Sequence, residues 1–322
     1  MHVQLGVSRT TKIRTSAAAV AILLLAILAF PALGRTKIKK AKASENPAQF
    51  AAFSHPLPND IRVRHALDRL TFGPRPDDLR RVEKMGLNKW LDAQLHPERL
   101  EENPLLEERL EPLETLRLDI HDIYVHYPPP QMIAAVARGN APLPDDPELR
   151  AMVVRLADRY LERSNKASDN KDPNDDSDLA LKVKITDILT SEQIETLQSG
   201  KPEEKQRVLE SIPENKLADF SWSLYRKERQ ALLSLAPVDL RRQLMRAVNP
   251  QSVVTSDLCE GKLLRAIYST RQLQELLTDF WFNHFNVNID KGADHYYISS
   301  YERDAIRARV FGKFFDMLLE TA

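Results

Sequence analysis

The chain has 322 residues with 46 basic and 46 acidic side chains, so its formal net charge is zero and no global basic field exists to hold nucleic acid. Hydrophobic residues make up 43%, which excludes collagen-like and wholly disordered chains, and a single cysteine excludes a disulfide framework or a multi-cysteine zinc or iron–sulfur site. With 9 glycines against 20 prolines, the composition argues against a doubly wound nucleotide-binding fold or a β-sandwich. It points instead to an all-α, multi-helical chain whose helices open on proline.

Residues 1–34 have the layout of a secretory signal peptide. Arg9, Lys12 and Arg14 are basic, Ala17 to Phe30 is an unbroken apolar run, and Ala32 and Gly34 are small, as a cleavage site requires. The body is therefore expected outside the cytoplasm, periplasmic or secreted. Arg35, Lys37, Lys39, Lys40 and Lys42 follow directly, and positive charge there opposes translocation. That leaves a second reading, an inner-membrane anchor over 17–33. Residues 35–58 read as a basic, proline-ended linker.

An N-terminal helical block is predicted over 59–163. Ile61, Ala66, Leu67 and Leu70 share one helix face. Pro76-Asp77-Asp78 opens a second helix that Gly86 stops, and Leu87, Trp90, Leu91 and Leu95 line a third. Glu101 to Tyr124 reads as one long helix ended by Pro128-Pro129-Pro130, with shorter helices at 131–138 and 147–163. Residues 164–178 carry almost no apolar side chain and read as a disordered acidic loop.

Over 179–249 the pattern changes. Four segments beginning near Pro202, Pro213, Tyr225 and Ala236 resemble degenerate copies of one short helix, which must stack to bury a face. Ordinary amphipathic helices with proline starts account for the same pattern. A C-terminal block, 250–322, shows helices at 250–268, 270–285 and 297–310 and another starting at Phe314. The chain stops in an apolar helical pattern without a C-cap glycine, so a longer protein is expected, with Phe314, Phe315, Leu318 and Leu319 exposed in the piece given.

Two blocks carry a family likeness. The first runs from His65 through Arg69, Thr71, Phe72 and Gly73 to Trp90 and Gln94. The second contains Phe280, Trp281, Asn283, His284 and Phe285, then Arg303 and the Phe311-Gly312-Lys313-Phe314 run. Together they resemble the bacterial family known as domain of unknown function 1800, over about 60–322, with 164–250 as an insertion. The resemblance implies a largely helical, exported bacterial protein and no established activity. It also implies a second half, with Asn-Glu-Asn and Ala-Arg-Glu segments, beyond Ala322.

The strongest candidate for chemistry is His284. Among Phe280, Trp281 and Phe285 a buried imidazole is expected, with one nitrogen for a proton or a metal. Asp279 and Asn283 share a helix face. Asp294 and His295 follow a short loop, and two histidines with a carboxylate are the donor set of zinc or iron, so a divalent metal ion is the cofactor class implied. Packing of His284 in the helix is the blander account. Asp172, Asn174, Asp176 and Asp178 alternate as in a calcium loop, but Ser177 and Val183 stand where glycine and glutamate belong. The Arg69/Thr71 and Arg303/Asp304/Arg307 groups offer either an anion site or, as the blander account, ion pairs on helix faces, and Cys259 reads as a small core residue. No nucleophile elbow, phosphate loop or dinucleotide fingerprint is present. Two functions remain. One is an extracytoplasmic binding or assembly protein with a protein or cell-surface partner. The other is a metal-assisted hydrolase or oxidoreductase centred on His284.

Overall fold

Three short helices, α1 (Asn59–Leu70), α2 (Asp78–Met85) and α3 (Leu87–Leu95), bury Val63, Leu67, Val82 and Trp90 against one another. Val63 and Leu67 are spaced i,i+4 and so share a face; Ile61, two residues earlier, falls on the other side and is exposed. Gly86 links α2 to α3 at φ +91°, where an L side chain is strained. Its N–H donates to the Val82 carbonyl at 2.8 Å and its carbonyl accepts from the Trp90 N–H at 3.0 Å, so one residue closes one helix and opens the next.

The structure, a computed structural model, describes residues 57–166, 181–285, 287–288 and 294–321. The signal-like segment, the linker up to residue 56, most of the 164–178 loop and the calcium-like run lie outside these residues. Those described hold sixteen α-helices and no strand, and belong to one compact unit beginning at Leu57. No described helix is long and apolar enough to cross a membrane.

The long helix expected over Glu101–Tyr124 is three pieces: α4 (Pro104–Leu110), a 3₁₀ turn at Glu114–Leu116 and α5 (Ile120–His126). Asn103 caps α4 by accepting the Leu105 N–H at 3.1 Å, and Asp119 caps α5 by accepting the Asp122 N–H at 2.8 Å. Pro112, between them, has no N–H with which to continue a helical ladder. Next, α6 (Pro130–Ala137) packs on α7 (Pro147–Lys166), which runs three residues into the stretch expected to be loop.

The short helices are α8 (Ser191–Ser199), α9 (Pro202–Glu210), α10 (Glu214–Trp222), α11 (Arg226–Leu233) and α12 (Val238–Val248). Several start with the same device, a side chain at the third position bonded back to the cap N–H. Thr190 N donates to Gln193 at 3.0 Å, Lys201 N to Glu204 at 2.9 Å and Tyr225 N to Glu228 at 3.1 Å. Isolated helices this short are marginal in water. Leu197, Leu209, Leu217, Phe220, Leu232 and Leu244 meet in one core, each such side chain contributing about 1.5–3 kcal/mol, so stacking is what holds them.

The spine is α13 (Pro250–Tyr268), which touches α4, the 114–116 turn, α12, α14 (Gln272–Phe285) and α15 (Asp294–Ser300). Gly261 permits a close approach of the 114–116 turn: a Cβ there would lie 2.6 Å from Leu116 Cδ1. Beyond α15 the helix widens into a π turn, Tyr301–Ile306, then a 3₁₀ turn at Arg307–Arg309, and α16 (Phe314–Glu320) packs back on the π turn.

Candidate functional site

The first sequence block is pinned to the turn between α13 and α14, just ahead of the second block on α14. Gln94, 5% exposed, donates from Nε2 to the Thr270 carbonyl at 2.9 Å and accepts the Leu273 N–H at 3.0 Å. Gln272 accepts the Phe72 N–H at 3.4 Å, and Arg75 Nη2 donates to the Ser269 carbonyl at 2.6 Å. Thr71 is buried, donating to the Leu67 carbonyl at 2.6 Å and accepting the Gly73 N–H at 3.0 Å. Glu102 accepts from Thr270 N at 2.7 Å, Ser269 Oγ at 2.8 Å and Asn103 N at 2.9 Å. Burial raises its pKa, but these bonds outweigh burial and hold it below the ordinary carboxylate value. Thr71, Gly73 and Gln94 are thus engaged in holding this turn, Trp90 is buried in the α1–α3 core, and the Phe72 side chain is exposed. Arg69 lies exposed in the last turn of α1, where its charge suits the helix dipole.

The second block differs from expectation. His284 is exposed, not buried, and its ring stacks on Phe280 at 6.0 Å and meets Trp281 edge-on at 5.3 Å. Phe280 is itself exposed, while Trp281 and Phe285 pack against Phe314. Asn283 donates to the Asp279 carbonyl at 2.8 Å, and the Asp279 carboxylate pairs with Lys262 at 2.8 Å. His295 Nδ1 lies 3.2 Å from Thr255 Oγ1. Among the described residues no three His, Cys, Asp or Glu side chains converge as a metal site, so His284, Asp294 and His295 are not brought together as one. Cys259, expected in the core, is exposed.

Arg303 and Arg307 do more than pair on a helix surface. Arg303 Nη1 donates to the Leu116 and Leu118 carbonyls, both at 3.0 Å, tying the π turn to the 114–116 turn, and its fork pairs with Asp304. Arg307 bridges two buried carboxylates, Glu275 at 2.5 Å and Glu302 at 3.0 Å. Burial lowers the Arg307 pKa, yet the two carboxylates raise it beyond the ordinary value.

An open cleft lies elsewhere, between α7 and the short-helix stack, with a volume of about 1000 Å³. Its rim carries Glu148, Glu214 and an Arg155–Asp219 pair at 2.6 Å, with Trp222 and Met152 as apolar footing. The floor is a connected polar network. Arg242 Nε donates to both Asp257 oxygens at 2.9 and 3.2 Å, and its Nη2 donates to Tyr127 Oη at 3.0 Å. Tyr127 donates in turn to Glu114, and Thr115 Oγ1 donates to Asp257 at 2.8 Å. Burial raises the Tyr127 pKa, and so does its bond to Glu114. Asp257, 1% exposed, has its pKa raised by burial, which Arg242 only partly offsets. Arg242 holds its proton above the ordinary value, the pull of Asp257 overcoming burial. Arg246 reaches Glu148 at 3.6 Å and donates to the His126 carbonyl at 3.2 Å.

A family model described as Protein of unknown function (DUF1800) matches residues 65–322. The chain belongs to this family. No curated protein and no solved structure matches it.

The DUF1800 match takes in both sequence blocks, the cleft and the short-helix stack. None of the cleft residues is singled out by sequence reasoning. One signal was available within the DUF1800 region: Asp257 falls on the buried stripe of α13 formed by Val253, Val254, Leu258 and Gly261. A carboxylate on such a stripe needs a partner or a large pKa shift.

Proposed function

We propose that this protein is a binding protein that works outside the cytoplasm and holds a segment of a partner polypeptide in the cleft between α7 and the short-helix stack. The observation that carries this reading is the composition of the cleft. Four carboxylates (Glu114, Glu148, Glu214, Asp219) and three guanidiniums (Arg155, Arg242, Arg246) line one open hollow beside Trp222. Both signs of charge at close spacing suit a chain that offers charged side chains of both signs and backbone donors and acceptors. The Tyr127–Glu114–Arg242–Asp257 network supports the reading by fixing the floor in advance, which lowers the ordering cost of binding. Stacked short helices are a common source of extended binding surfaces. The extracytoplasmic location is supported by the signal-like residues 1–34. Binding is preferred over the metal-assisted hydrolase or oxidoreductase because the described residues gather no donor set around His284.

The test is an array of mixed-charge decapeptides probed with the whole chain and with an Arg246→Glu variant. Saturable binding that weakens by about tenfold or more in the variant is the expected result. Binding indifferent to Arg246→Glu, or none, refutes it. For location, alkaline phosphatase fused after Ala322 should be active in a bacterial host; an inactive fusion refutes export.

A further inference from the structure

The cleft beside Trp222 has helices for walls. α7 and α10 form its two sides, and α12 forms part of its floor. The two sides run in the same direction, because Arg155 of α7 pairs with Asp219 of α10 at 2.6 Å and Arg159, one turn on, lies 5.8 Å over the Trp222 ring. We infer that the segment held there is an amphipathic α-helix, an inference that rests on the binding reading above and deepens it.

Three features carry the inference. First, helical walls offer a guest almost no backbone partners. Among the described residues there is no strand, hence no sheet edge, and ladder bonds occupy the backbone groups of α7, α10 and α12 beyond their end turns. An extended segment would bring its N–H and C=O groups into the cleft largely unpaired, which is costly. A helix satisfies its backbone internally and meets the walls with side chains, and its end turns supply the free backbone donors and acceptors. Second, the lining complements such a helix. Met152 and Trp222 give an apolar strip, flanked by Glu148 and Arg155 on α7 and by Glu214 and Asp219 on α10. An apolar stripe with charges on either side is the surface of an amphipathic helix. Third, the dimensions agree. Glu148 and Arg155 are about 10 Å apart along α7, and roughly that length of a helix about 10 Å across fills a hollow of about 1000 Å³. Ala151 and Ala218, both exposed, face the hollow from opposite sides, so the ridges of a guest helix can approach both walls closely.

The experiment titrates the whole chain with two peptides of about fourteen residues, long enough to form a helix. Both are built from Leu, Ala, Glu and Lys, with Leu at i, i+3, i+4 and i+7. The second has two central residues of D configuration, which break the right-handed helix. Calorimetry reads binding and circular dichroism reads peptide helicity. Saturable binding of the all-L peptide is expected, about tenfold or more tighter than that of the second. Ala151→Gln/Ala218→Gln fills the hollow from exposed positions and should weaken binding by about tenfold or more. Lys216→Gln, at an exposed α10 position outside the cleft lining, should leave it unchanged, and thermal melting checks that each variant folds. Equal binding of the two peptides overturns the inference, as does binding indifferent to the double variant. Self-association of the chain that the double variant abolishes in sedimentation overturns the partner assignment in favour of a second copy. If mixed-charge decapeptides still bind and Arg246→Glu still weakens them while the all-L peptide does no better than its D-containing counterpart, only this inference is lost and the cleft reading stands.

Discussion

Replacing Gln94 by Leu tests whether the first sequence block is structural. The side chains have similar volume, so no sizeable cavity opens. What disappears is the pair of bonds that joins α3 to the head of α14. The Leu273 N–H is left without its acceptor in a buried position, and the Thr270 carbonyl without its donor. An orphaned buried group costs about 1–3 kcal/mol, so the loss should be about 3 kcal/mol after partial relaxation. For a domain of this size each kcal/mol moves Tm by about 2–4 °C, giving a drop of roughly 6–12 °C. Urea denaturation followed by circular dichroism and tryptophan fluorescence measures it, with exposed Lys89→Ala as the control, expected within about 0.5 kcal/mol of wild type. If Gln94→Leu unfolds at the same urea concentration as Lys89→Ala, the pinning argument is wrong.

Three further outcomes follow from the same geometry. Asp257→Ala leaves Arg242 buried without its carboxylate and should cost about 3–5 kcal/mol, whereas the double change Asp257→Leu/Arg242→Met should recover much of it; a double variant no more stable than the single one refutes the pairing. Glu102 has a folded pKa below its unfolded value, so its contribution is full above about pH 4.5 and is lost as pH falls through the folded pKa. Wild type should therefore lose stability below that pH more steeply than Glu102→Gln, and parallel pH profiles in urea titrations contradict the assignment. His284→Ala, at an exposed ring, should change stability by about 0.5 kcal/mol or less; a loss above about 2 kcal/mol in the same assay means the imidazole is packed after all.

Helix starts were readable because proline and its cap carry a local signal. Pro130, Pro147, Pro202 and Pro250 each open a helix in the structure, whereas Pro104 opens one inside the stretch the sequence reads as a single long helix. Pro112 carries a local signal too, which the reading of Glu101 to Tyr124 as one helix overlooks. For His284, periodicity indicates which side of α14 is apolar. It does not say how far neighbouring elements extend along that side, and in the last turn Phe280 and His284 lie beyond cover. Cys259 was misplaced for a related reason: it follows Leu258 on α13 but points away from the stripe that the 114–116 turn and α15 cover.

Helical class, the positions of most helices and the family likeness are local properties, carried by residues within a turn or two of each other. The cleft is not local. Arg242 and Asp257 are on different helices, and Tyr127 and Glu114 come from a third stretch of chain. Charge and spacing along the chain could flag Asp257 as out of place in an apolar stripe, but no rule of spacing names its partner. That pairing depends on how α12 and α13 pack, and packing follows from the shapes of many side chains at once.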